Sequence, residues 1–326
     1  MCYLAPYVNP IRAWIFPFFA TSYFWLLITN VMFIAFWWMM KKKLWLLSFL
    51  AILLGVQHIG SYIGISFSNA QPNDLTLMTY NVGGQFQGKS PEAAAAKKNG
   101  FIDFIRSGNK PDILAVQEAG WVQFYKDSLA YKNHYSQGGI AILTDLDIVH
   151  KGSIPFESSS NRLIWADVNY KGKNFRLVNV HLQSNKVSDQ ADDLILNADF
   201  KEKKTWRNVK SVISKIKHAT KMRTLQTIES KTFIDTSSYP VILVGDFNDT
   251  PLSYTYRHIS RNLQDAFCKK GNGLGITYAG NIPGLRLDYV LASEGIKFTS
   301  YECPKVNFSD HYPILCRLNL GSTSDQ

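Results

Sequence analysis

The hydrophobic pattern divides the chain into an apolar N-terminal part and a longer part in which apolar and polar runs alternate. Residues 13–40 and 44–67 form two apolar stretches that are almost free of charge, with Lys41-Lys42-Lys43 between them. A helix that crosses a bilayer needs roughly 20 apolar residues, and both stretches are long enough. The pattern therefore predicts a membrane anchor at 1–67 with two transmembrane helices, a linker at 68–74, a soluble domain at 75–320 and a tail at 321–326.

The two apolar stretches differ in composition. Pro17, Thr29 and Asn30 interrupt the first, whereas Gln57, His58 and three glycines weaken the second. A cleaved signal peptide fits poorly, because the apolar run is long and no basic segment precedes it. A buried hairpin in a soluble protein is the remaining alternative. We interpret His58 as a neutral, packed histidine.

Beyond the linker, short runs rich in Val, Ile, Leu and Tyr alternate with helical patterns. The predicted strands are LTLMTYN, DILAVQ, GIAIL, LIWADVN, FRLVNVHL, VILVGD, LDYVLAS, IKFTSYE and YPILCRL. Helices are predicted from Pro91 to Arg106 and from about Gln190 to Ser230. This alternation predicts an α/β fold in which helices cover sheets.

Polar side chains stand at the ends of many of these strands. They are Asn81, Glu118, Asn179, His181, Asp246, Asn248, Asp288, Asp310 and His311. In α/β sheets the strand ends meet at one edge, where sites form. A buried carboxylate costs several kcal/mol unless it is paired or metal-bound, so packing alone does not explain this set.

The segments that carry these residues resemble the endonuclease/exonuclease/phosphatase superfamily. The matching pieces are TYNVGG, AVQE, GGIAIL, RLIWADV, NVHLQS, GDFNDTP, RLDYVL and SDHYPI, and they span nearly all of residues 75–320. The resemblance implies an α/β fold of four layers, a sandwich with two central mixed β-sheets, here preceded by a transmembrane helical hairpin. It also implies hydrolysis of a phosphoester.

The resemblance implies roles for the strand-end residues. Mg²⁺, for which Mn²⁺ can substitute, would be held by Glu118, Asn81 and Asp310, since hard oxygen ligands suit it. Asp246 would activate water, Asn248 and His311 would contact the phosphoryl oxygens, and Asp288 would orient His311. His181 resembles a second catalytic histidine. Arg162 and Asn179 are expected to bind phosphate.

The substrate is left open by the sequence. Nucleic acid, a lipid headgroup and a small phosphate ester all remain candidates, and a catalytically idle membrane-tethered binding protein is the alternative from another class. Gly83 stands where repair enzymes of the superfamily often carry an acidic residue, which counts against the abasic-site branch. A lipid bilayer is an expected partner, and no obligate protein partner is evident.

Charge and cysteine content refine the picture. From Asp74 onward, 31 Lys and Arg residues exceed 25 Asp and Glu residues, which is compatible with an anionic substrate or surface, although many soluble domains carry such a charge without one. A basic stretch at 201–223 is expected to be a solvated helix face, with a polyanion-binding face as the alternative. The four cysteines form no Cys-x-x-Cys pair, which argues against a zinc site, and Cys303 and Cys316 are expected to be free thiols, with a disulfide left open.

The lysines between the apolar stretches predict the topology. Basic residues beside a span are retained in the cytoplasm, so Lys41 to Lys43 should face it. The catalytic domain would then lie outside the cytoplasm, facing the periplasm in a bacterial inner membrane. If Gln57, His58 and the glycines keep the second stretch from crossing, the domain would instead stay in the cytoplasm, on the side of Lys41 to Lys43.

Overall fold

The computed structural model describes residues 1–83, 90–120, 122–157, 159, 161–185, 203–280 and 282–321. The helices are α1 (Phe16–Met39), α2 (Trp45–Leu53), α3 (Val56–Ile59), α4 (Pro91–Phe104), α5 (Val122–Leu129), α6 (Lys203–Asp235), α7 (Tyr254–Ile259) and α8 (Ala266–Lys270). A 3-10 helix at Cys2–Tyr7 precedes α1, and a π-helical turn at Ile105–Asn109 follows α4.

The strands are β1 (Ile63–Ile65), β2 (Leu75–Asn81), β3 (Ile113–Gln117), β4 (Asn133–Gln137), β5 (Ile140–Thr144), β6 (Asp147–Pro155), β7 (Arg162–Tyr170), β8 (Lys173–His181), β9 (Val241–Asp246), β10 (Leu263–Asp265), β11 (Asn272–Leu274), β12 (Asp288–Ser293), β13 (Lys297–Glu302) and β14 (Ile314–Asn319). One six-stranded sheet has the order β13-β14-β2-β3-β5-β4, and the other has the order β10-β12-β9-β8-β7-β6. Both are mixed, because β2–β3 and β8–β9 pair in parallel while their neighbours are antiparallel.

Three hydrophobic clusters hold the layers together. The inner faces of the two sheets meet in a cluster that includes Leu77, Ile164 and Val290. The outer face of the first sheet packs on α4 and α5 through residues such as Phe101 and Tyr125. A third cluster covers the outer face of the second sheet with α6 and α7. The predicted fold, four layers around two mixed sheets, is confirmed.

The strands that the pattern predicted are those with a buried face. All five residues of β5 are buried, as are all six of β9. Five of the described strands were not predicted. Of these, β4, β6 and β10 lie at an edge of a six-stranded sheet with at most one buried residue each, and β1 and β11 are three-residue strands that form a two-stranded sheet. An edge strand lacks the apolar face that makes a strand visible in a sequence.

Both predicted helices are present in the described residues. Helix α4 begins at Pro91, after Ser90, whose hydroxyl accepts a hydrogen bond from the Ala93 amide at 3.3 Å. Helix α6 runs from Lys203 to Asp235, beyond the predicted end at Ser230. The predicted start of this helix, and the first residues of the basic stretch, lie outside the described residues.

The first predicted span is a continuous helix. Helix α1 has a mean hydropathy of 1.6, and only 11% of its most apolar window is buried. Its 24 residues extend for about 36 Å, enough to cross a hydrocarbon core of about 30 Å. Among the described residues, α1 alone is long and apolar enough to cross a membrane.

The second predicted span, 44–67, does not form one continuous helix. Helix α2 has nine residues, and Gly55 then leaves the helical conformation with φ −112°. After α3 the chain becomes extended, and β1 pairs with β11 of the soluble domain. Glycines and β-branched isoleucines in HIGSYIGIS favour this extended segment over a helix. The transmembrane hairpin is therefore not confirmed.

The last residues of the predicted anchor pack on the catalytic domain instead. Tyr62 is 4% exposed and shares a cluster with Leu252, and Arg286 donates a hydrogen bond to the carbonyl of Ser61 at 3.0 Å. The ring of His58 stacks on Tyr3 at 5.9 Å, as expected for a packed histidine. All four cysteines are free.

Candidate active site

Three strand ends of the second sheet bring three predicted catalytic residues side by side. In the register of the sheet, His181 at the end of β8 lies opposite Asp246, and Asp246 lies opposite Asp288 at the start of β12. The parallel pairing of β8 with β9 puts both C-terminal ends at the same edge. The pairing of strands within the second sheet therefore places His181, Asp246 and Asp288 next to one another.

The first sheet supplies Asn81 and Glu118 from the parallel strands β2 and β3. The side-chain amide of Asn81 donates hydrogen bonds to Glu118 Oε1 at 3.2 Å and to Asp246 Oδ2 at 2.9 Å. Its Oδ1 accepts a hydrogen bond from the Gly83 amide at 2.9 Å. Asn81 is 1% exposed, so this one side chain joins the carboxylates of both sheets in the interior.

Asp246 is held by the turn that follows it. Its carboxylate accepts hydrogen bonds from the Asn248 backbone amide at 2.7 Å and from Asn248 Nδ2 at 3.0 Å. Asn248 has φ +52°, a left-handed conformation that asparagine tolerates better than most residues. Its Nδ2 also donates to the Leu182 carbonyl, so the amide orients Asp246 rather than facing the cleft.

Gly245 is required by the close approach of two backbones. It has φ +132°, and a Cβ at this position would lie 1.9 Å from the Val180 carbonyl oxygen. Another residue would push β9 away from β8 and shift Asp246 from His181. The close packing of β9 on β8 therefore requires glycine at this position of the GDFN motif.

His311 and Asp288 form a buried pair. His311 Nδ1 lies 2.8 Å from Asp288 Oδ2, and His311 Nε2 lies 3.9 Å from Asp246 Oδ2. Burial by itself lowers the pKa of His311, but the carboxylates of Asp288 and Asp246 outweigh it and raise the pKa to about 10. The imidazole is therefore protonated at neutral pH, with one N–H on Asp288 and the other directed toward Asp246.

His181 and Glu118 form the more open side of the cluster. His181 Nε2 is 3.5 Å from Glu118 Oε1 and 3.8 Å from Asp246 Oδ2, and it has no hydrogen-bond partner in the described part of the chain. The Glu118 side chain is 39% exposed, and its backbone has φ +56°. This strained backbone turns the carboxylate toward solvent at the end of a fully buried strand.

Arg162 lies in the wall of the cleft. A cavity of about 690 Å³ is lined by Glu118, Arg162 and His181, together with Gly138, Gly139, Ile140, Asn161 and Ser184. Arg162 Nε is buried, and it has no hydrogen-bond partner among the described residues. Arg162 therefore lines the cleft beside Glu118 and His181, and its contact with phosphate stays a prediction.

Asn179 does not face the cleft, which corrects its predicted phosphate-binding role. Its side chain is fully buried, and Nδ2 donates hydrogen bonds to the carbonyls of Val116 at 3.1 Å and Ala141 at 2.9 Å. Its Oδ1 accepts a hydrogen bond from Gln117 Nε2 at 2.7 Å. Asn179 therefore bridges the two sheets, and none of its polar atoms faces a ligand.

Asp310 is adjacent to His311 but separate from the hydrogen bonds that join Asn81, Glu118 and Asp246. Its Oδ1 accepts a hydrogen bond from the Ser309 hydroxyl at 3.2 Å, and its negative charge contributes to the raised pKa of His311. A role for Asp310 at a metal remains a prediction.

The donors of the cleft suit a hard divalent cation. Asp246, Asp288 and His311 form a buried group whose ligand atoms lie within 4.8 Å of one another. Asp288 Oδ1 is buried and has no hydrogen-bond partner among the described residues. Glu118 and Asn81 add a carboxylate and an amide beside Asp246. Oxygen donors of this kind are the ligands that Mg²⁺ and Mn²⁺ prefer.

Several residues that support the site were not singled out from the sequence. The Ser309 hydroxyl donates to the Asn81 carbonyl at 2.9 Å, and Thr277 Oγ1 accepts from the Asp288 amide at 3.1 Å. The ring of Tyr278 packs edge-on against His311 with centroids 5.3 Å apart. Ser309 precedes Asp310 in the SDH motif, which was a usable signal. Thr277 and Tyr278 lie in an irregular segment without a motif.

The described geometry agrees with a family model. Residues 78–311 match the model described as Endonuclease/Exonuclease/phosphatase family. The chain belongs to this family. Its members are phosphoester hydrolases. Residues 1–62 match a second model, described as a domain of unknown function, whose end coincides with the point where the chain joins the catalytic domain. No curated protein matches the chain.

Solved structures share the fold of this family member. A family protein from Bacteroides thetaiotaomicron has a TM-score of 0.56 at 18% identity, covering 76% of this chain and 98% of its own. A mannosyl-6-phosphatase from the same species has a TM-score of 0.54 at 18% identity, covering 75% and 99%. D. rerio TDP2, complexed with a single-strand DNA product, has a TM-score of 0.53 at 16% identity, covering 76% and 99%.

Proposed function

We propose that this protein is a phosphoester hydrolase that depends on a divalent metal, with Mg²⁺ as the expected ion and Mn²⁺ as a substitute. One observation carries the proposal: both sheets contribute to a single cluster in which Asn81 joins Glu118 to Asp246, and His311 lies between Asp246 and Asp288. Buried carboxylates are costly, and a protein that only binds has no need of two of them, Asp246 and Asp288, on either side of a histidine.

We assign the metal to the exposed side of the cluster. Glu118 has the carboxylate that is most open to solvent, and Asn81 Oδ1 keeps a second lone pair beside its hydrogen bond from Gly83. Asp310 is the further expected ligand. When bound, the cation neutralises the phosphate charge and lowers the pKa of water.

Asp246 is the group proposed to accept the proton of the attacking water. Its hydrogen bonds from Asn81 and Asn248 hold the carboxylate in one orientation, so little reorganisation precedes proton transfer. The water oxygen forms a bond to phosphorus, and the bond between phosphorus and the ester oxygen breaks. The leaving oxygen takes the electron pair and is then protonated.

The cationic groups are proposed to act on the phosphoryl oxygens. His311, protonated through its pairing with Asp288, presents Nε2–H beside Asp246 and can donate to an oxygen or protonate the leaving group. His181 Nε2 has no protein hydrogen-bond partner in the described residues, and Arg162 lines the entrance. Asn248 orients Asp246, and its predicted phosphoryl contact would require it to release Leu182.

The contact between α1 and the catalytic loops favours a membrane-borne phosphoester as a second, more specific candidate. Leu252, four residues after Asn248, packs on Ala20 and Tyr23 of α1. The ring of Phe24 lies so close to Gly284 that a Cβ there would approach within 2.2 Å, and Gly284 is four residues before Asp288. If α1 lies in a bilayer, the cleft is close to its surface.

The test of the proposed function uses the full chain purified in detergent. We expect hydrolysis of bis-p-nitrophenyl phosphate with Mg²⁺ or Mn²⁺ and its loss in EDTA. Plasmid DNA, RNA, sphingomyelin and inositol phosphates are then compared to identify the substrate. Full activity after exhaustive chelation contradicts the metal proposal, and no hydrolysis of any substrate contradicts the function.

We also propose that α1 crosses a bacterial inner membrane and that the chain returns through α2, which packs on α1, so that Lys41 to Lys43 lie in the cytoplasm and the catalytic domain lies on the periplasmic side. The 3-10 helix before α1 and strand β1 after α3 both contact the catalytic domain, so the two ends of the apolar segment lie on one side. Alkaline phosphatase and green fluorescent protein fused after Asn73 test this. An active phosphatase and a dark fluorescent fusion are expected, and the opposite result inverts the topology.

A further inference from the structure

A second cavity, separate from the catalytic cleft, lies where the N-terminal segment meets the catalytic domain. Its volume is about 650 Å³, and none of its lining residues lines the cleft. The walls come from the 3-10 helix Cys2–Tyr7, from His58 in α3 and from α7 with the residues around it. We call it the basal pocket, because it lies at the base of α1.

The basal pocket is lined by basic and hydroxyl groups. Arg257, Arg261, His58 and His258 contribute to its walls, as do the phenols of three tyrosines, and no Asp or Glu is among the described residues that line it. The described residues form no ion pair with Arg257 or Arg261. Two exposed guanidinium groups without carboxylate partners make this pocket suited to an anion.

The two arginines supply the positive charge of the pocket. The Arg257 guanidinium lies 4.0 Å from the ring centroid of Tyr7, which holds it at the pocket wall. Burial, Lys231 and Arg261 all lower the pKa of His258, and together they outweigh the opposite effect of Asp235. Asp235 is itself paired with Lys231, so it does not neutralise the arginines.

The position of the pocket identifies the source of the anion. Tyr7, in its wall, is 55% exposed, and the neighbouring Ile11 and Ile15 are 42% and 49% exposed at the start of the apolar surface of α1. A tyrosine in the segment that leads into an apolar helix is typical of the headgroup region of a membrane. Two arginines in the headgroup region of a membrane are close to a high local concentration of lipid phosphates, which favours a lipid over a soluble phosphate as the ligand.

We propose that the basal pocket binds the phosphate of an anionic phospholipid headgroup, in the leaflet next to the catalytic domain. The guanidinium groups of Arg257 and Arg261 would each donate paired hydrogen bonds to phosphate oxygens. The hydroxyls of Tyr7, Tyr254 and Ser260 would bind the remaining polar atoms of the headgroup, whereas the hydroxyl of Tyr256 donates to Asp265. This inference rests on the anchoring part of the proposed function and is independent of the hydrolytic reaction.

The test uses the full chain in nanodiscs of phosphatidylcholine with a minority of phosphatidylglycerol. The lipids that remain with the detergent-extracted protein are quantified by mass spectrometry. We expect phosphatidylglycerol to be enriched several-fold over the surrounding bilayer in the natural protein. In Arg257→Gln/Arg261→Gln the enrichment should fall to the bilayer ratio, whereas Lys269→Gln/Lys297→Gln, with the same loss of charge elsewhere, should retain it.

Further arms separate the alternatives. Arg257→Lys/Arg261→Lys keeps the charge without the paired donors and should retain part of the enrichment, which covers the case in which the glutamine variant does not fold. Equal enrichment in all variants overturns the proposal. Inorganic phosphate that stabilises the protein in pure phosphatidylcholine nanodiscs, in the same arginine-dependent way, assigns the pocket to a soluble ligand instead. If alkaline carbonate extracts the protein from membranes, both the membrane anchor and the lipid-binding role of the basal pocket are overturned. Hydrolysis of bis-p-nitrophenyl phosphate is measured separately, because it tests the proposed reaction and not the anchor.

Discussion

His311 Nδ1 lies 2.8 Å from Asp288 Oδ2, in a site where both side chains are almost completely buried. This contact orients the imidazole, and the charges of Asp288 and Asp246 raise its pKa to about 10, which keeps the ring protonated at neutral pH. Asp288 does not line the cleft cavity, and no hydrogen bond among the described residues joins its side chain to Asp246. We therefore infer that Asp288 acts through His311.

Replacing Asp288 by Asn should therefore reduce kcat by about 10²- to 10⁴-fold with a smaller effect on KM, because the histidine loses its orienting charge. Steady-state kinetics on bis-p-nitrophenyl phosphate measures the effect. Asp265→Asn serves as a control outside the cleft, since Asp265 pairs with Arg286 instead. A variant with unchanged kcat would remove Asp288 from the mechanism.

Asp246→Asn and His311→Ala should each reduce kcat by on the order of 10³-fold or more, because one side chain accepts the proton and the other neutralises charge in the same step. The double variant should be little slower than the slower single variant. Circular dichroism and thermal melting check that the fold is retained. Either single variant keeping a tenth of the natural rate would refute the assignment.

Glu118→Gln should raise the Mg²⁺ concentration required for half-maximal activity by at least tenfold, because one charged oxygen ligand is lost at the open side of the cluster. Metal titration of the hydrolysis rate measures this change. Isothermal calorimetry with Mn²⁺ gives a reading that does not depend on turnover. An unchanged metal requirement by both methods would place the ion elsewhere, for example at Asp246, Asp288 and His311.

Asn179→Ala should destabilise the protein by about 2–4 kcal/mol, because it leaves the carbonyls of Val116 and Ala141 and the amide of Gln117 without their partner in the interior. KM for the substrate should change little in the folded fraction. Chemical denaturation and steady-state kinetics separate the two effects. A large rise in KM at unchanged stability would restore the phosphate-binding role that the sequence suggested.

Asp74 gives the pH dependence of stability. Its side chain is buried, and burial by itself raises the pKa of the carboxyl group. Hydrogen bonds from the Gln71 amide, the Thr299 hydroxyl and the Asn319 side chain outweigh the effect of burial, so the pKa of Asp74 is lower than its ordinary value. A lowered carboxyl pKa stabilises the fold above the pKa of the unfolded state, about 3.9, and this contribution is lost as the pH falls through the folded value.

The natural protein should therefore exceed Asp74→Asn in stability at neutral pH, and the difference should shrink as the pH falls below about 4. Urea denaturation of both proteins across this range measures the difference. A stability difference that does not depend on pH would show that the charge of Asp74 contributes nothing.

The sequence by itself determined the strands with buried faces and the residues at their ends. Apolar alternation is a local property, so VILVGD was recognised as a strand that ends at Asp246, and the order of the motifs indicated the family. The apolar length of α1 was likewise visible without a structure. These features depend on neighbours along the chain.

The tertiary structure decided which polar residue faces the cleft and which lies between the sheets. Asn179 and His181 are two residues apart on one strand and read alike in the sequence, yet Asn179 lies between the sheets with its amide on Val116 and Ala141, while His181 lies at the cleft. The second apolar stretch looked long enough to cross a membrane, but the chain leaves the helical conformation at Gly55, and β1 pairs with β11. Both outcomes depend on hydrogen bonds between residues far apart in the chain, which no local pattern contains.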